Sequence, residues 1–324
     1  MTNGVLGLIG NTPLVRLEKI TDGAGSEIYV KLESFNPSGS IKDRIALYFI
    51  EDAERRGIIR PGDVVVEATS GNTGTSLAMV AAVKSYRCII VLPETVSPEK
   101  IKAVRAFGAE IILTPSGLLR EDERSYYYIA ERIAKERNGA YLNQYFNPIN
   151  PEAHYETTGP EIWRDTDEKV DTVICGMGTG GTITGVGRYL KEKNAKIKII
   201  GIEPTGSVYR SYFKKGIVEN ACKFKIEGIG KNFIPGVIDF NYIDDVIQVD
   251  DQESFKMVEI MMRKEGILVG GSSGAAMAGT LRYAKNSENK ENIVTILPDT
   301  GLKYLSKSSE SSFLQAAFLK SVDG

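Results

Sequence analysis

The residues that could do chemistry in this chain cluster in a few small-residue loops. The first is Asn36-Pro37-Ser38-Gly39-Ser40-Ile41-Lys42-Asp43-Arg44. Asn-Pro and Ser-Gly mark a turn, and apolar residues at helical spacing follow over Ile41–Arg56, stopping at Gly57. Lys42 therefore falls in the first turn of a helix, where a cation opposes the helix dipole. That placement depresses a lysine pKa and suits an imine-forming nucleophile. Beside Asp43 and Arg44 the same lysine also reads as a surface residue. The second loop, Thr69-Ser70-Gly71-Asn72-Thr73-Gly74, sits between a strand and a helix. It offers backbone N–H groups and hydroxyls to an anion, or simply caps a turn. The third, Gly176-Met177-Gly178-Thr179-Gly180-Gly181-Thr182, has the same setting. Its glycines let backbone wrap closely around a phosphate. It lacks the dinucleotide G-x-G-x-x-G spacing and any Gly-Lys-Ser/Thr, so a single phosphate is the natural guest and a phosphate-free turn the plain alternative. Gly270-Gly271-Ser272-Ser273-Gly274-Ala275-Ala276 and Ile296-Leu297-Pro298-Asp299-Thr300-Gly301 each read, alone, as capped turns.

The elements that must hold these loops alternate along the chain. Strands are expected at Ile28–Leu32, Val64–Glu67, Cys88–Leu92, Glu110–Leu113, Thr172–Cys175, Ile197–Ile202, Val246–Val249 and Ile293–Leu297. Several are continuously apolar, as parallel strands covered on both faces require. Helices are expected at Ile41–Arg56, Thr73–Ser85, Glu99–Phe107, Arg124–Arg137, Thr182–Lys193, Gln252–Lys264 and Ala275–Ala284. Repeated β-α order implies open parallel sheets with right-handed crossovers. Val64–Thr114 and Asp171–Asp299 form separate sets, and Ile28–Leu32 is expected to pair with the second. The reading is α/β, with two interleaved open twisted sheets flanked by helices. Residues 1–40 cross into the larger domain, 41–148 form a smaller domain with a substrate loop, 149–307 form the larger domain, and 308–324 form a polar tail.

Composition narrows the function. In 324 residues, 40 basic and 42 acidic side chains leave a net charge of −2, which argues against nucleic-acid binding and against a polybasic membrane-surface protein. Three cysteines make neither a disulfide framework nor a zinc site, and Cys88 and Cys175 are expected in the core. A single histidine, His154, disfavours histidine-based hydrolase triads. No apolar run reaches the ~20 residues of a membrane span and the N-terminus lacks a signal-peptide form, so a cytoplasmic protein is expected.

A helix-start lysine, a one-phosphate cup and several small-residue loops at strand ends, where α/β sheets bind ligands, together suggest pyridoxal 5'-phosphate (PLP). At this point the chain resembles the cysteine synthase and cystathionine β-synthase family, the fold type II PLP-dependent enzymes of tryptophan synthase β-like architecture. The resemblance runs from Leu8-Ile9-Gly10-Asn11-Thr12-Pro13 to about Lys307, through Asn36–Arg44, Thr69–Gly74, Asn143-Gln144-Tyr145, His154–Trp163, Gly178–Thr182, Gly228–Pro235 and Gly270–Ala275, in the family's order and spacing. It implies that Lys42 holds PLP as an internal aldimine and then shuttles a proton. It implies that Asn72 bonds the PLP 3′-oxygen, that Gly178, Thr179, Gly180, Gly181 and Thr182 cradle the phosphate, and that Ser272 faces the pyridine nitrogen. It further implies that Thr69, Ser70, Gly71, Thr73 and Gln144 hold the substrate α-carboxylate, with His154 packed structurally. No metal is expected.

The implied reaction is β-replacement on L-serine, O-acetylserine or O-phosphoserine through an aminoacrylate intermediate. A thiol is added, giving cysteine from sulfide or cystathionine from homocysteine. Glu203–Ser207, Glu227–Gly230, Val269–Gly274 and Pro298–Lys307 resemble most a bacterial cystathionine β-synthase core without regulatory domains. Two segments depart from the pattern. Lys231-Asn232 replaces the aromatic residue that many members carry after Gly-Ile-Gly, and the charged stretch Leu118–Tyr128 replaces a glycine-rich loop. Arg120, Arg124 or Lys231 is thus a candidate partner for the carboxylate of an amino-acid nucleophile, against solvent-facing charge. Alternatives are an amine nucleophile, a cysteine β-lyase releasing hydrogen sulfide, a serine/threonine dehydratase and a non-catalytic regulator. A homodimer is expected, with the apolar segment Val5–Ile9 as its contact arm.

Overall fold

A computed structural model describes residues 4–21 and 25–306. The expected polar tail at 308–324 lies outside the described residues. In chain order the strands are β1 (Leu14–Arg16), β2 (Glu27–Leu32), β3 (Val64–Ala68), β4 (Arg87–Pro93), β5 (Glu110–Thr114), β6 (Ala140–Tyr141), β7 (Thr172–Gly176), β8 (Lys198–Pro204), β9 (Asp245–Val249) and β10 (Asn292–Leu297). The helices are α1 (Lys42–Arg55), α2 (Asn72–Val83), α3 (Pro98–Ala106), α4 (Tyr126–Glu136), α5 (Ile149–Ala153), α6 (Gly159–Asp165), α7 (Gly181–Lys193), α8 (Tyr209–Lys215), α9 (Asp251–Ile260) and α10 (Gly271–Asn286).

Two sheets result, one of order β1-β2-β10-β7-β8-β9 and one of order β5-β4-β3-β6. Among the described strand pairs only β1–β2 is antiparallel. All five residues of β3 are buried, which is why its sequence is continuously apolar apart from Glu67. Val65, Leu77 and Ile90 fill a core shared with Ile45 and Phe49 of α1. Val66, Val91 and Ala130 fill the opposite face, under α4. In the larger sheet, β2 pairs in parallel with β10 from Glu27↔Asn292 to Leu32↔Leu297, as Ile28–Leu32 was expected to do.

Every expected strand forms. The short β1 and β6 escape periodicity because three and two residues show no pattern. The segment 149–165 also escapes it: α5, a π-helical turn over His154–Thr158 and α6 follow one another, with Pro148, Pro151, Gly159 and Pro160 interrupting the pattern. Tyr209–Lys215 was likewise not expected to be helical. At the other end, α10 begins at Gly271 and not at Ala275. Ser272 and Ser273 therefore stand in a helix's first turn, and not in the loop before it.

Candidate active site

Three parallel strands deliver the small-residue loops to one place. β3 ends at Ala68 and leads through Thr69–Gly71 into α2, β7 ends at Gly176 and leads into α7, and β10 ends at Leu297 before Pro298-Asp299. These are carboxyl ends of strands, where open α/β sheets bind ligands. A backbone bridge between Ser40 and Asp299 sets the start of α1 against the end of β10. Lys42 is the first residue of α1.

The cleft between these loops encloses about 660 Å³ and is lined by Lys42, Thr69, Ser70, Asn72, Thr73, Gln144, Gly178, Thr179 and Ser272. A smaller recess, also lined by Lys42, adds Gly180 and Thr182. Gly71 and Gly181, the remaining candidates, belong to the same two loops. Sequence-distant candidates are thus brought together.

Lys42 is partly open to the cleft yet densely surrounded by protein. Burial lowers its pKa from 10.5 to about 8, against the pull of Asp299 and Glu33 and with help from the charge of Lys231. Desolvation is the main cause. Asn72 donates from Nδ2 to Asp299 Oδ2 at 2.7 Å and accepts from Lys303 Nζ at 3.2 Å. Tyr304 also donates to Asp299 Oδ2, at 2.5 Å. Ser272 is buried in the first turn of α10. Thr73 Oγ1 donates to Gln144 Oε1 at 2.8 Å, and Gln144 Nε2 donates to the Ala68 carbonyl at 2.9 Å. Behind Gln144, burial raises the Glu67 carboxyl from 4.5 to about 8, despite hydrogen bonds from Gln144 and Asn143.

The glycine loop before α7 is tightly held. A Cβ at Gly178 would strike the Gly228 carbonyl, one at Gly181 the Asn150 amide, and one at Gly180 would lie 2.5 Å from Ile238 Cβ. Asn150 Nδ2 donates to Thr179 Oγ1 at 3.0 Å, and Tyr209 donates to the Gly178 carbonyl. The recess lining offers loop amides, the hydroxyls of Thr179 and Thr182, and Lys42, with no carboxylate among the described residues. That donor set fits a phosphorylated aldehyde, with the anion at the loop and the carbonyl at an amine of lowered pKa.

A family profile described as pyridoxal-phosphate dependent enzyme matches residues 5–299. The chain belongs to this family of pyridoxal-phosphate-dependent enzymes. Mouse (Mus musculus) cystathionine β-synthase is 45% identical over 320 residues, which are 98% of this chain and 57% of that protein. The chain thus spans a little over half the length of that curated relative. Among solved structures, a hydrogen sulfide-producing enzyme from Fusobacterium nucleatum is 43% identical, with a TM-score of 0.86 over 94% of this chain and 100% of that one. O-ureido-L-serine synthase is 38% identical, with a TM-score of 0.87 over 94% of each chain. The family and fold expected from the sequence, and PLP as the cofactor, are borne out.

Some candidates meet a different fate. Arg124 is exposed and pairs with Asp122 at 2.8 Å, and Arg120 sits 4.0 Å over the Phe146 ring. Neither lines the cleft, whereas Lys231 does. His154 is buried between Thr158 Oγ1 at 2.9 Å and Thr182 Oγ1 at 3.1 Å. Burial and the charges of Lys42 and Arg44 lower its pKa well below 6.5, so it is a neutral packing residue. Cys88 and Cys175 are buried as expected. Sequence reasoning did not find Lys100, which is buried at the cleft wall, bonds Glu227 Oε2 at 2.7 Å and lies 4.1 Å over the Tyr304 ring. Nor did it find Asn150, Tyr209 or Lys303. Each acts through a residue far away in the chain, and no local pattern signals such pairing.

Proposed function

We propose that this chain catalyses PLP-dependent β-replacement on L-serine or an activated L-serine such as O-acetylserine or O-phosphoserine, installing a thiol. Sulfide would give cysteine, and homocysteine would give cystathionine. The observation that carries this reading is Lys42, an amine of pKa about 8, in one cleft with a glycine loop, a neutral serine and a loop of amide and hydroxyl donors. The similarity to cystathionine β-synthase supports it.

When bound, PLP supplies an electron sink in conjugation with the substrate α-carbon. In this reading Lys42 Nζ would hold the cofactor, and the same amine would take the α-proton of the bound amino acid. An amine with a pKa near the working pH is suited to both tasks. Gly178–Thr182 would hold the phosphate. Asn72, fixed by Asp299 and Lys303, would meet the ring oxygen. Ser272 would meet the ring nitrogen with a neutral hydroxyl, which does not force protonation there and would favour loss of a β-substituent over racemisation or transamination. Thr69, Ser70, Gly71, Thr73 and Gln144 orient the α-carboxylate.

We assign residues 41–148 to the smaller, substrate-loop domain and 149–307 to the larger, cofactor-holding one, with 1–40 crossing into the latter. A homodimer belongs to the same reading, supported by Val5 and Leu8, which are 38% and 55% exposed in the N-terminal arm. A reducing cytoplasmic setting is supported by the three free cysteines.

The 43% identity to a hydrogen sulfide-producing enzyme supports a second reading, release of hydrogen sulfide from cysteine by the same residues. The similarity to O-ureido-L-serine synthase supports the inclusion of non-thiol nucleophiles in the test. The enzyme is supplied with serine, O-acetylserine, O-phosphoserine or cysteine, and then with sulfide, homocysteine or an amine. Products are identified by mass spectrometry. Cysteine or cystathionine formed from a serine donor supports β-replacement. Pyruvate and ammonia alone, whatever the nucleophile, would overturn it.

A further inference from the structure

We propose that Lys231 binds the carboxylate of an amino-acid nucleophile and thereby sets the acceptor class of this enzyme. The inference rests on the β-replacement reading and adds to it a residue that distinguishes one acceptor from another.

The backbone of Lys231 is fixed. Its N–H donates to Ser207 Oγ at 3.1 Å, and its carbonyl accepts from Val208 N at 3.2 Å. The preceding Gly230, at φ +78°, donates to the Met177 carbonyl at 2.8 Å. One turn of chain earlier, the Gly228 carbonyl lies against Gly178 of the glycine loop. From this anchored start the side chain runs along the cleft lining to Tyr145. Lys231 Nζ donates to Tyr145 Oη at 3.0 Å and stands 4.5 Å from that ring. Tyr145 directly follows Gln144, whose side chain is tied to Thr73 and Ala68. The ammonium therefore ends next to the substrate loop without taking part in it.

Charge then selects the ligand. Five lysines line the cleft (42, 100, 223, 225 and 231) against a single carboxylate, Glu227. Glu227 is engaged by Lys100 at 2.7 Å. Lys223 and Lys225 lie on the exposed rim, and Lys42 is assigned to the cofactor. Lys231 is left with a neutral phenol: burial holds the Tyr145 pKa well above 10. No carboxylate among the described residues pairs with Lys231. A half-enclosed cation facing a neutral partner is completed by an anion, and a charge-assisted hydrogen bond to carboxylate is the strong form of that contact. The α-carboxylate of the first amino acid already has the amide and hydroxyl donors of the Thr69–Thr73 loop. When two amino acids condense, the carboxylate still to be placed is the nucleophile's. The phosphate of an O-phosphoserine donor carries similar chemistry, so the test separates the two.

The holoenzyme and its Lys231→Met and Lys231→Arg variants are assayed with serine or O-acetylserine at saturation, varying L-homocysteine or sulfide, and with O-phosphoserine varied at saturating sulfide. Lys231→Met is expected to raise KM for homocysteine about tenfold, and several times more than KM for sulfide, with Lys231→Arg in between. Calorimetric titration of the holoenzyme with L-homocysteine and with 3-aminopropane-1-thiol, which lacks the carboxylate, gives a readout independent of turnover. The parent is expected to prefer homocysteine, and Lys231→Met to erase the preference. Equal KM changes for both acceptors, or a rise confined to the KM of O-phosphoserine, would overturn the proposal. If no donor gives product but the calorimetric preference holds and depends on Lys231, β-replacement falls and the carboxylate site stands. If product forms and no preference exists, the site falls alone.

Discussion

Thr69–Gly74 leaves the end of β3 and Gly176–Thr182 the end of β7, and each runs into a helix whose first two turns are mostly small, buried residues. What stands behind the glycines differs. Gly178 and Gly181 are backed by the Gly228 carbonyl and by the Asn150 amide, which is itself hydrogen-bonded to Thr179 and to the Gln144 carbonyl. Neither neighbour can retreat cheaply. Gly71, at φ +147°, is backed by the methylenes of Lys100, whose ammonium is held by Glu227 but whose chain has rotatable bonds that the backbone carbonyl behind Gly178 lacks. The tip of that loop is otherwise closed on itself by Gly71 N donating to Thr69 Oγ1 at 3.0 Å. Its base is tight, since a Cβ at Gly74 would lie 2.8 Å from Ile90 Cγ2. One loop is therefore a preformed cup and the other a firm base with an adjustable tip. That division suits a group that stays bound in the first case and substrates that come and go in the second.

The largest expected effect tests whether the two loops serve one amine. Lys42→Ala should lower turnover by about a thousandfold or more and abolish the borohydride-stable attachment of PLP to the peptide containing residue 42, read by mass spectrometry. Persistent attachment at normal turnover would dissociate Lys42 from both loops.

Substitution of the glycines themselves sharpens the contrast. Gly181→Ala drives a methyl group into the Asn150 amide and should destabilise the fold by about 1–3 kcal/mol, with loss of PLP on gel filtration. Gly71→Ala meets a yielding lysine chain, although φ +147° adds backbone strain of about 1–3 kcal/mol. It should retain PLP while raising KM for the donor. If both variants lost PLP to the same extent, the distinction between cup and tip would not hold.

The smallest effect concerns Glu67, which supports only the substrate loop. Its carboxyl pKa rises from 4.5 to about 8 on burial, so the folded state holds a proton that the unfolded state releases. The sign follows: stability is fullest below pH 4.5, declines as pH rises toward 8, and then levels off. Glu67→Gln keeps the acceptor for Gln144 N and removes the titration. Its advantage over the parent should be small near pH 4.5 and exceed about 1 kcal/mol near pH 8, measured by denaturant unfolding. A difference independent of pH would show that Glu67 is ionised in the fold.

Much of this was legible along the chain. Apolar runs such as Val64–Val66 mark strands buried on both faces, and β3 is buried throughout. Glycine loops between strand and helix marked the two loops that the cleft brings together and that are proposed to hold phosphate and substrate. Lys42 stood out by its position after Pro37 and Gly39. The π-helical turn at His154–Thr158 did not stand out, because it packs against α7, where a Cβ at Gly185 would lie 2.8 Å from both His154 Cβ and Tyr155 N, and such packing leaves no local pattern. In the charged stretch after Pro115, Arg124 pairs with a neighbour two positions away and lies outside the cleft lining.

The sequence by itself determined the alternation of strands and helices, the loop chemistry, the family and its cofactor. Periodicity, turn residues and local spacing are properties of short stretches of chain, and they survive without knowledge of what packs beside them. Only the tertiary structure decided which charges are matched. Lys100 finds Glu227, Asn72 finds Asp299, and Arg44 finds Glu33 at 2.8 Å and Glu161 at 2.6 Å. Burial alone would raise the Glu161 carboxyl, yet the hydrogen bonds and charge of Arg44, joined by Lys31, hold it near 2. Lys42 sits one residue from a buried acid and two from that matched guanidinium, and burial leaves it near 8. Solvent exclusion and distance in space set those energies, and neither is a function of separation along the chain.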